Sequence, residues 1–241
     1  MPREIANGFI SFEKYKRNVT LLGMYFASRV QAGRMLASQM LSKYRYENCI
    51  ILAMSDGGAM VGAQIAMSLH CAMELLITEE IELPREPDAL GGIAEDGSFS
   101  FNSFYSPGVI DEFVSEYFQY LEQEKIEKLQ KMHRQLGEGI TLKKSLLKGR
   151  NVIIVSDGMK SGFALDLAAQ FLKPIAIEKM IVAVPIASVK AVDRMHVAAD
   201  ELYVLSVVED YISTEHYYDK EDVPKHQVVV DTVGRIIMNW R

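Results

Sequence analysis

The segment NVIIVSDGMKSGFALDLA, residues 151–168, decides the fold of this chain. Four apolar, β-branched residues follow Asn151, which is typical of a strand that is buried on both faces. A short turn of small and polar residues comes next, and apolar residues at helical spacing resume directly after Gly162. The segment therefore predicts one strand–turn–helix unit of an α/β protein.

Apolar runs separated by turn residues recur along the rest of the chain. Further strands are predicted at residues 49–54, 72–78, 179–185 and 201–208, and helices at 26–44, 59–69, 109–136 and 163–172. Near the C-terminus, residues 228–233 fit either a last strand or the start of a final helix. Strands that alternate with helices predict βαβ units. The expected fold class is α/β, with a mainly parallel sheet flanked by helices.

The middle of the chain carries a predicted insertion. The Asp-Gly pair at residues 96–97 predicts a small hairpin flap, and the amphipathic segment 109–136 predicts a helical cap. Charged residues and prolines at 78–90 predict a loop before the hairpin, because proline cannot donate to the ladder of a central strand. We therefore expect a single domain over residues 1–241, with the flap and the cap inserted at 79–140.

Composition and charge narrow the class of protein. With 49% hydrophobic and 24% charged residues among 241, the chain has the make-up of a globular protein with a substantial core. The net charge of −6 and the lack of a long basic run predict no nucleic-acid partner.

The chain shows neither a signal-peptide pattern nor the ~18 apolar residues of a membrane span, so no membrane association is expected. Cys49 and Cys71 lie in apolar stretches without a CxxC pair, which suits buried thiols in the cytoplasm.

The turn within the opening segment has the composition of a phosphate-binding loop. It contains Asp157, Gly158, Ser161 and Gly162, and a helix is predicted directly after it. Glycine lets a backbone approach a ligand closely, the free amides at a helix start attract anions, and a serine hydroxyl adds a donor. The same residue types also cap ordinary strand-to-helix turns, and Ser161 fits the role of an N-cap. From the residues alone, the phosphate-binding and the structural interpretations both stay open.

The stretch VIIVSDGMKSG within this segment resembles the ribose-phosphate signature of type I phosphoribosyltransferases. In that family two adjacent acids after a hydrophobic strand hold the ribose hydroxyls, and a Thr-Gly turn holds the 5-phosphate. This chain has Ser156 where the first acid is expected and Ser161 in place of the threonine, while it keeps Asp157, Gly158 and Gly162. The resemblance implies a phosphate-binding turn with part of the ribose-binding pattern changed.

Other segments are similar to one branch of that family, the predicted phosphoribosyltransferases. They are the helix FASRVQAGRMLA at 26–37, the Gly-Gly turn at 57–58, the Pro-containing loop at 84–88, the hairpin at 91–97 and IVAVPIAS at 181–188. Their order matches that branch over residues 20–208, which is more specific than any single motif. The resemblance implies the type I phosphoribosyltransferase fold.

The chain departs from that branch at cationic positions. Ser55 and Asp56 stand where relatives carry Pro-Arg before the Gly-Gly turn, and Glu79 and Glu80 stand where they carry Arg-Lys. Like charges a few ångströms apart repel by about 1 to 4 kcal/mol per pair, which would oppose a bound diphosphate. Two alternatives remain, since acids can hold Mg²⁺ or Ca²⁺ and can also point away into solvent.

An enzyme of this family would transfer a phosphoribosyl group from a 5-phosphoribosyl diphosphate type of substrate with Mg²⁺. The resemblance then implies that Asp157 binds the ribose hydroxyls directly or through Mg²⁺, as the catalytic residue and metal ligand. The 5-phosphate is expected on the turn, which comprises Gly158, Met159, Lys160, Ser161 and Gly162. The ribose and pyrophosphate side is expected to include Ser156, Ser55, Asp56, Gly57, Gly58 and Glu80.

Two other hypotheses fit the same residues. A non-catalytic sensor of a nucleotide or sugar phosphate, which has lost the diphosphate clamp, is favoured by the acids at 56, 79 and 80. A structural subunit would follow if the turn binds nothing. The expected partner is a phosphorylated small molecule, such as a ribose phosphate or a nucleotide, and a homo-oligomer in which a partner chain completes the site is a further alternative.

Overall fold

The computed structural model describes residues 25–86, 88–136 and 142–239. In chain order, the elements are α1 (Arg29–Tyr44), β1 (Cys49–Ala53), α2 (Asp56–Leu69), β2 (Ala72–Leu75), β3 (Thr78–Ile81), β4 (Gly91–Ala94), β5 (Phe99–Phe101), α3 (Pro107–Leu136), β6 (Asn151–Val155), α4 (Phe163–Leu172), β7 (Lys179–Ser188), α5 (Val189–Ala198), β8 (Glu201–Val208) and α6 (His226–Asn239). Strands and helices alternate before β3 and after α3, and the segment from β3 to α3 interrupts this order.

A five-stranded parallel sheet forms the centre of the molecule. Its strands lie in the order β2-β1-β6-β7-β8, and every neighbouring pair runs in the same direction. Every residue of β1 and β6 is buried. Helices cover both faces of such a sheet, so its inner strands are continuous apolar runs instead of alternating ones. The predicted fold class, an α/β protein with a mainly parallel sheet flanked by helices, is confirmed.

The two faces of the sheet pack into separate cores because alternate residues of a strand point in opposite directions. Ile153 and Val155 of β6 lie in the core that includes α1, α2 and α6. Ile154, between them, lies in the core that includes α4 and α5. Asp157 follows Val155 by two residues and continues this alternation. Its side chain therefore lies on the same side as that of Val155, towards α1 and the start of α2.

The segment predicted as an insertion at 79–140 contains a small antiparallel sheet and a long helix, and its residues 87 and 137–140 lie outside the described ranges. Its strands lie in the order β3-β4-β5, and Ile81 and Leu90 pack against Leu121 of α3. The hairpin between β4 and β5 occurs where the Asp-Gly pair predicts it, with Gly97 at a φ of 81° in the left-handed region. α3 bends at Tyr117, whose backbone is not helical.

Two sequence-based boundaries are wrong. The run 72–78 does not form one strand, because β2 joins the parallel sheet and β3 joins the antiparallel one. The predicted loop at 78–90 begins instead with β3. This strand lies at an edge of its sheet, where charged side chains are tolerated, and Pro84 follows its end. Residues 228–233 belong to α6, so the helical alternative for the tail is correct.

The segment between β8 and α6, residues 209–225, crosses the carboxyl edge of the parallel sheet and is called the C-terminal strap below. It is tied to the chain before α1, since Phe26 and Tyr218 form a parallel bridge. Tyr217 and Tyr218 are buried in the same core as α1 and α2. No helix in the described part of the chain is long and apolar enough to cross a membrane.

Candidate functional site

The turn between β6 and α4 lies at the carboxyl edge of the parallel sheet, where ligands bind in open α/β folds. Its first half is fixed to β7: the amide of Met159 donates to the carbonyl of Ile186, and the amide of Ser188 donates back to Met159. The Met159 side chain is buried in the core with α4 and α5. Met159 is predicted to hold phosphate, but in this arrangement its amide is used within the protein.

The second half of the turn leaves three backbone donors unused. Among the residues that the structure describes, none accepts a hydrogen bond from the amides of Lys160, Ser161 and Gly162. Lys160 is exposed and Ser161 is half-buried, whereas Gly162 is buried, so solvent reaches this part of the turn at Lys160 and Ser161. Unpaired amides at the start of a helix form a concave site for an anion. The turn therefore keeps the donors that a phosphate group needs.

Gly162 is the N-cap residue of α4, and Ser161 directly precedes it. The Ser161 hydroxyl oxygen accepts a hydrogen bond from the Phe163 amide at 3.2 Å, which leaves its proton available to a ligand. Gly162 has a φ of 75°, which disfavours any residue with a Cβ atom. A Cβ there would also lie 3.2 Å from the Cα of Ala191 in α5. The N-cap role predicted for Ser161 is therefore wrong, because Gly162 occupies that position, and phosphate binding by Ser161 stays a prediction.

The carboxylate of Asp157 is held inside the protein. Its Oδ2 atom lies 2.7 Å from Nε of Arg29, and its Oδ1 atom accepts a hydrogen bond of 3.0 Å from Ser55. The Asp157 carbonyl also accepts a hydrogen bond from the Tyr218 hydroxyl. The side chain of Asp157 is 12% exposed and that of Arg29 is 2% exposed. Asp157 is therefore an acid in a buried ion pair, with little of its carboxylate open to a ligand.

Arg29 has a second acidic partner. Its Nη1 atom lies 3.2 Å from Asp222 of the C-terminal strap, and its guanidinium stacks 4.4 Å from the centre of the Tyr218 ring. Burial acts to lower the pKa of Arg29, but the hydrogen bond and charge of Asp157, with Asp222, raise this pKa above its usual value. Arg29 is consequently a permanent cation at the start of α1.

The Gly-Gly turn lets α2 approach this ion pair. A Cβ at Gly57 would overlap Oδ2 of Asp157 and lie 2.8 Å from Nε of Arg29. A Cβ at Gly58 would lie 2.9 Å from the carbonyl of Val155. Ser55 caps α2 by accepting from the Gly58 amide at 2.9 Å. Ser55 and Gly57 thus lie against Asp157, whereas Gly58 lies against Val155 and Ser156.

Asp56 and Glu79 are paired away from the turn. Asp56 makes a 2.6 Å hydrogen bond to Nδ1 of His226 at the start of α6. Glu79 lies 2.7 Å from Nζ of Lys131 and 3.7 Å from that of Lys128, both on α3. Neither carboxylate pairs with the turn, and the charge of Glu79 is compensated by two lysines, whereas Asp56 has an imidazole as its partner.

Glu80 lies on the other face of β3 from Glu79. It is opposite Gly92 in the antiparallel register, and a Cβ at Gly92 would meet Leu167 and Phe163 of α4. Its pKa is raised above the usual value, first by burial and then by the charge of Glu82, while Arg194 acts in the opposite direction. Of the three acids Asp56, Glu79 and Glu80, Glu80 is therefore the one that lies between the small antiparallel sheet and α4.

The family model for the phosphoribosyl transferase domain matches residues 24–222, which include β1, β6, the turn and the C-terminal strap as far as Asp222. The chain belongs to the phosphoribosyl transferase domain family. The strap that carries Tyr218 and Asp222 is thus within the matched part of this domain.

Individual relatives agree with this assignment. Two Mycobacterium tuberculosis proteins, from strains CDC 1551 / Oshkosh and ATCC 25618 / H37Rv, are provisionally named phosphoribosyl transferases. Each is 29% identical over 182 residues, which is 75% of this chain and 40% of the relative. The chain thus matches less than half the length of these relatives. The crystal structure of TT1426 from Thermus thermophilus superposes with a TM-score of 0.66 at 26% identity, covering 90% of this chain and 99% of the other.

Several residues that lie beside the turn were not predicted from the sequence. Tyr211 and Thr214 of the strap lie against Gly158, where a Cβ would overlap the Tyr211 hydroxyl. Burial raises the pKa of Tyr211 to about 12. Arg194 of α5 bonds Asp166 of α4 at 3.1 Å beside the turn. Arg29 lies within the helix motif that resembles the family, which was the available signal for it.

Phosphoribosyl transferase chemistry implies Mg²⁺, an ion that takes oxygen ligands. The sequence assigns it to Asp157, but both oxygens of this carboxylate already accept hydrogen bonds, from Arg29 and from Ser55. In residues 25–86, 88–136 and 142–239, no three His, Cys, Asp or Glu side chains are grouped so as to hold a metal. The protein donors around Asp157 therefore do not fit Mg²⁺ in this arrangement.

Proposed function

We propose that this phosphoribosyl transferase domain binds the phosphate monoester of a ribose phosphate or a nucleotide at the turn between β6 and α4. The observation that carries the proposal is the set of three unused amides at Lys160, Ser161 and Gly162. The N-terminus of α4 adds its partial positive charge, and the Ser161 hydroxyl and the Lys160 ammonium add donors. Together these groups match the oxygens and the charge of a phosphate.

The proposal favours binding without turnover as the main function. Asp157, the acid expected to act on the ribose, is held by Arg29 and Ser55, and the Tyr211 hydroxyl covers Gly158. A ligand therefore has access to the phosphate-binding part of the turn but little access to the carboxylate. A sensor of a nucleotide or sugar phosphate needs only the first of these.

Phosphoribosyl transfer is the second candidate, because the family match covers residues 24–222 and includes the whole turn. This reaction would require Asp157 to leave Arg29 and face the ribose hydroxyls. The pairing of Glu79 with Lys131 and Lys128 removes part of the repulsion that a diphosphate would otherwise meet. The proposal also includes a cytoplasmic location, which the buried free thiols of Cys49 and Cys71 support.

The binding proposal is tested by thermal unfolding with inorganic phosphate, ribose 5-phosphate, nucleoside monophosphates and 5-phosphoribosyl diphosphate. A ligand that binds only the folded state raises the unfolding temperature, and the rise grows with the ratio of the ligand concentration to its dissociation constant. Ser161→Ala should weaken this stabilisation, because it removes a hydroxyl from the turn. Ser38→Ala is the matched control, since Ser38 is exposed on α1 and bonds only the carbonyl of Met35.

Chromatography of the reaction mixture separates the two candidates. Stabilisation by ribose 5-phosphate without formation of a nucleoside monophosphate from 5-phosphoribosyl diphosphate and purine or pyrimidine bases supports the binding function. Formation of a nucleoside monophosphate supports transfer instead. If none of the phosphorylated compounds stabilises the protein, phosphate binding at the turn is wrong and the structural-subunit hypothesis replaces it.

A further inference from the structure

Arg29 is the most completely buried charged residue near the turn. Its whole-residue exposure is 1%, and its guanidinium is in contact with two acids and one aromatic ring. A buried cation is stable only when acidic partners and hydrogen bonds compensate for its lost hydration. Asp157 and Asp222 supply these partners from opposite sides, the first from the turn and the second from the C-terminal strap.

The position of this cation is fixed by packing as well as by charge. A Cβ at Gly57 would meet both members of the Arg29–Asp157 pair, so a larger residue there would require the pair to shift. The Arg29 amide also donates to Asp222 at 2.9 Å, so the backbone and the side chain of Arg29 are both tied to the strap. Movement of the guanidinium away from Asp157 would therefore require changes in α1, α2 and the strap together.

A metal ion at Asp157 would have to compete with this arrangement. Mg²⁺ gives up its water ligands reluctantly and would need a free carboxylate oxygen at about 2.0 to 2.1 Å. Displacing Arg29 from Asp157 would leave a buried guanidinium with one acidic partner, a change that is strongly unfavourable in proteins. The cation beside Asp157 is thus supplied by the chain itself.

We propose that Arg29 takes the place of a metal ion at Asp157, so that ribose 5-phosphate binds the turn independently of Mg²⁺. This inference rests on the proposed phosphate binding and specifies its cofactor requirement. It assigns Arg29 as a positioning residue: it neutralises Asp157 and orients the start of the turn, while the amides of the turn contact the phosphate.

The direct test is calorimetric titration of the full chain with ribose 5-phosphate, in buffer with saturating Mg²⁺ and in buffer with EDTA. We expect the two dissociation constants to agree within about a factor of two, because Mg²⁺ that does not bind at this site does not change the affinity for ribose 5-phosphate. A gain in affinity of about tenfold or more with Mg²⁺ would overturn the inference but leave phosphate binding intact. No binding in either buffer would overturn the proposed function, and the inference with it.

A second test uses Mn²⁺, which takes the same oxygen ligands as Mg²⁺ and gives an electron paramagnetic resonance signal. The wild-type chain should bind no Mn²⁺ at Asp157, whereas R29Q frees the carboxylates of Asp157 and Asp222, two oxygen ligands, and should acquire a Mn²⁺ site that D157N removes. Ser55→Ala is the matched control, since it removes the other partner of Asp157 but keeps Arg29.

Three results would contradict the inference in this second test. They are a Mn²⁺ site in the wild-type chain that D157N abolishes, a folded R29Q variant that binds no Mn²⁺, and a Mn²⁺ site in the Ser55→Ala control. Circular dichroism establishes whether R29Q is folded. If it is not, the wild-type measurements with Mn²⁺ and with ribose 5-phosphate decide the question.

Discussion

The Nε atom of Arg29 lies 2.7 Å from Oδ2 of Asp157, although the two residues are 128 positions apart in the chain. This pair joins the start of α1 to the turn after β6. Asp157 also accepts from Ser55 at the start of α2, and its carbonyl accepts from Tyr218 of the C-terminal strap. One acid therefore connects four segments at the carboxyl edge of the sheet.

Loss of Arg29 should strongly destabilise the fold. Arg29→Met leaves the Asp157 carboxylate buried without its cation, and breaking a buried pair in this way costs about 3 to 5 kcal/mol. Lys43→Met is the control, because Lys43 is 52% exposed in its ion pair with Glu201 and such surface pairs contribute about 0 to 1 kcal/mol. Urea unfolding measures both values, and equal losses for the two variants would show that the buried pair has no special role.

A methyl group at Gly57 should disturb the same ion pair. Gly57→Ala places a Cβ where Asp157 and Arg29 lie, so we expect a loss of about 1 to 3 kcal/mol in the free energy of unfolding. Gly108→Ala provides the comparison, since Gly108 is also helical but a Cβ there meets nothing within 4 Å. It should be neutral or stabilising, because alanine favours helices over glycine. A neutral Gly57→Ala variant would show that the pair can shift without cost.

The hydroxyl of Tyr218 should contribute to stability through its bond to the turn. Tyr218→Phe removes the donor to the Asp157 carbonyl inside the core, and a lost buried hydrogen bond costs about 1 to 3 kcal/mol. Tyr46 is 93% exposed, so Tyr46→Phe should leave the free energy of unfolding unchanged within about 0.5 kcal/mol. Thermal unfolding of the two variants checks the difference. An unaltered Tyr218→Phe variant would mean that the strap is held by packing alone.

The pH dependence of stability should reveal Glu80. Because the folded-state pKa of Glu80 is raised, the folded protein binds this proton more tightly than the unfolded chain does. The residue therefore costs stability once it is ionised, and this cost appears as the pH rises from the unfolded-state pKa through the folded-state pKa. Glu80→Gln should be more stable than wild type at neutral pH, and the advantage should vanish in acid.

Glu79→Gln is the control for this measurement, since Glu79 is paired with Lys131 and Lys128 on α3. Its substitution removes these ion pairs and should slightly lower stability at neutral pH. Unfolding free energies measured across the acidic range for both variants test the prediction. The same pH profile for Glu80→Gln as for wild type would show that burial of Glu80 has no energetic effect.

The resemblance and the apolar pattern predicted more of the scaffold than of the site. The strands at 49–54 and 151–155 were recognisable because strands buried on both faces are continuous apolar runs. The edge strand β3 was missed, since its residues are charged and followed by proline, which is typical of a loop. Burial of a strand leaves an apolar pattern in the sequence, whereas a short, charged edge strand such as β3 resembles a loop.

The polar contacts of the site depended on the tertiary structure. Sequence reasoning placed Ser55, Gly57 and Asp157 together, since the carboxyl ends of neighbouring parallel strands meet at one edge. It left open which way Asp56 and Glu79 point, and their partners are His226 of α6 and lysines of α3. The electrostatic argument against a diphosphate is correspondingly weaker than the count of acids suggested.

By itself, the sequence determined a parallel α/β sheet and a glycine-containing turn before α4, because hydrophobic periodicity and backbone conformation are local properties. The tertiary structure decided that Arg29 neutralises Asp157, that Tyr211 covers Gly158, and that three amides of the turn remain free. These relations join segments that are far apart in the chain. The free energies of these contacts depend on burial and on which charged groups are neighbours. A local pattern of residues contains neither kind of information.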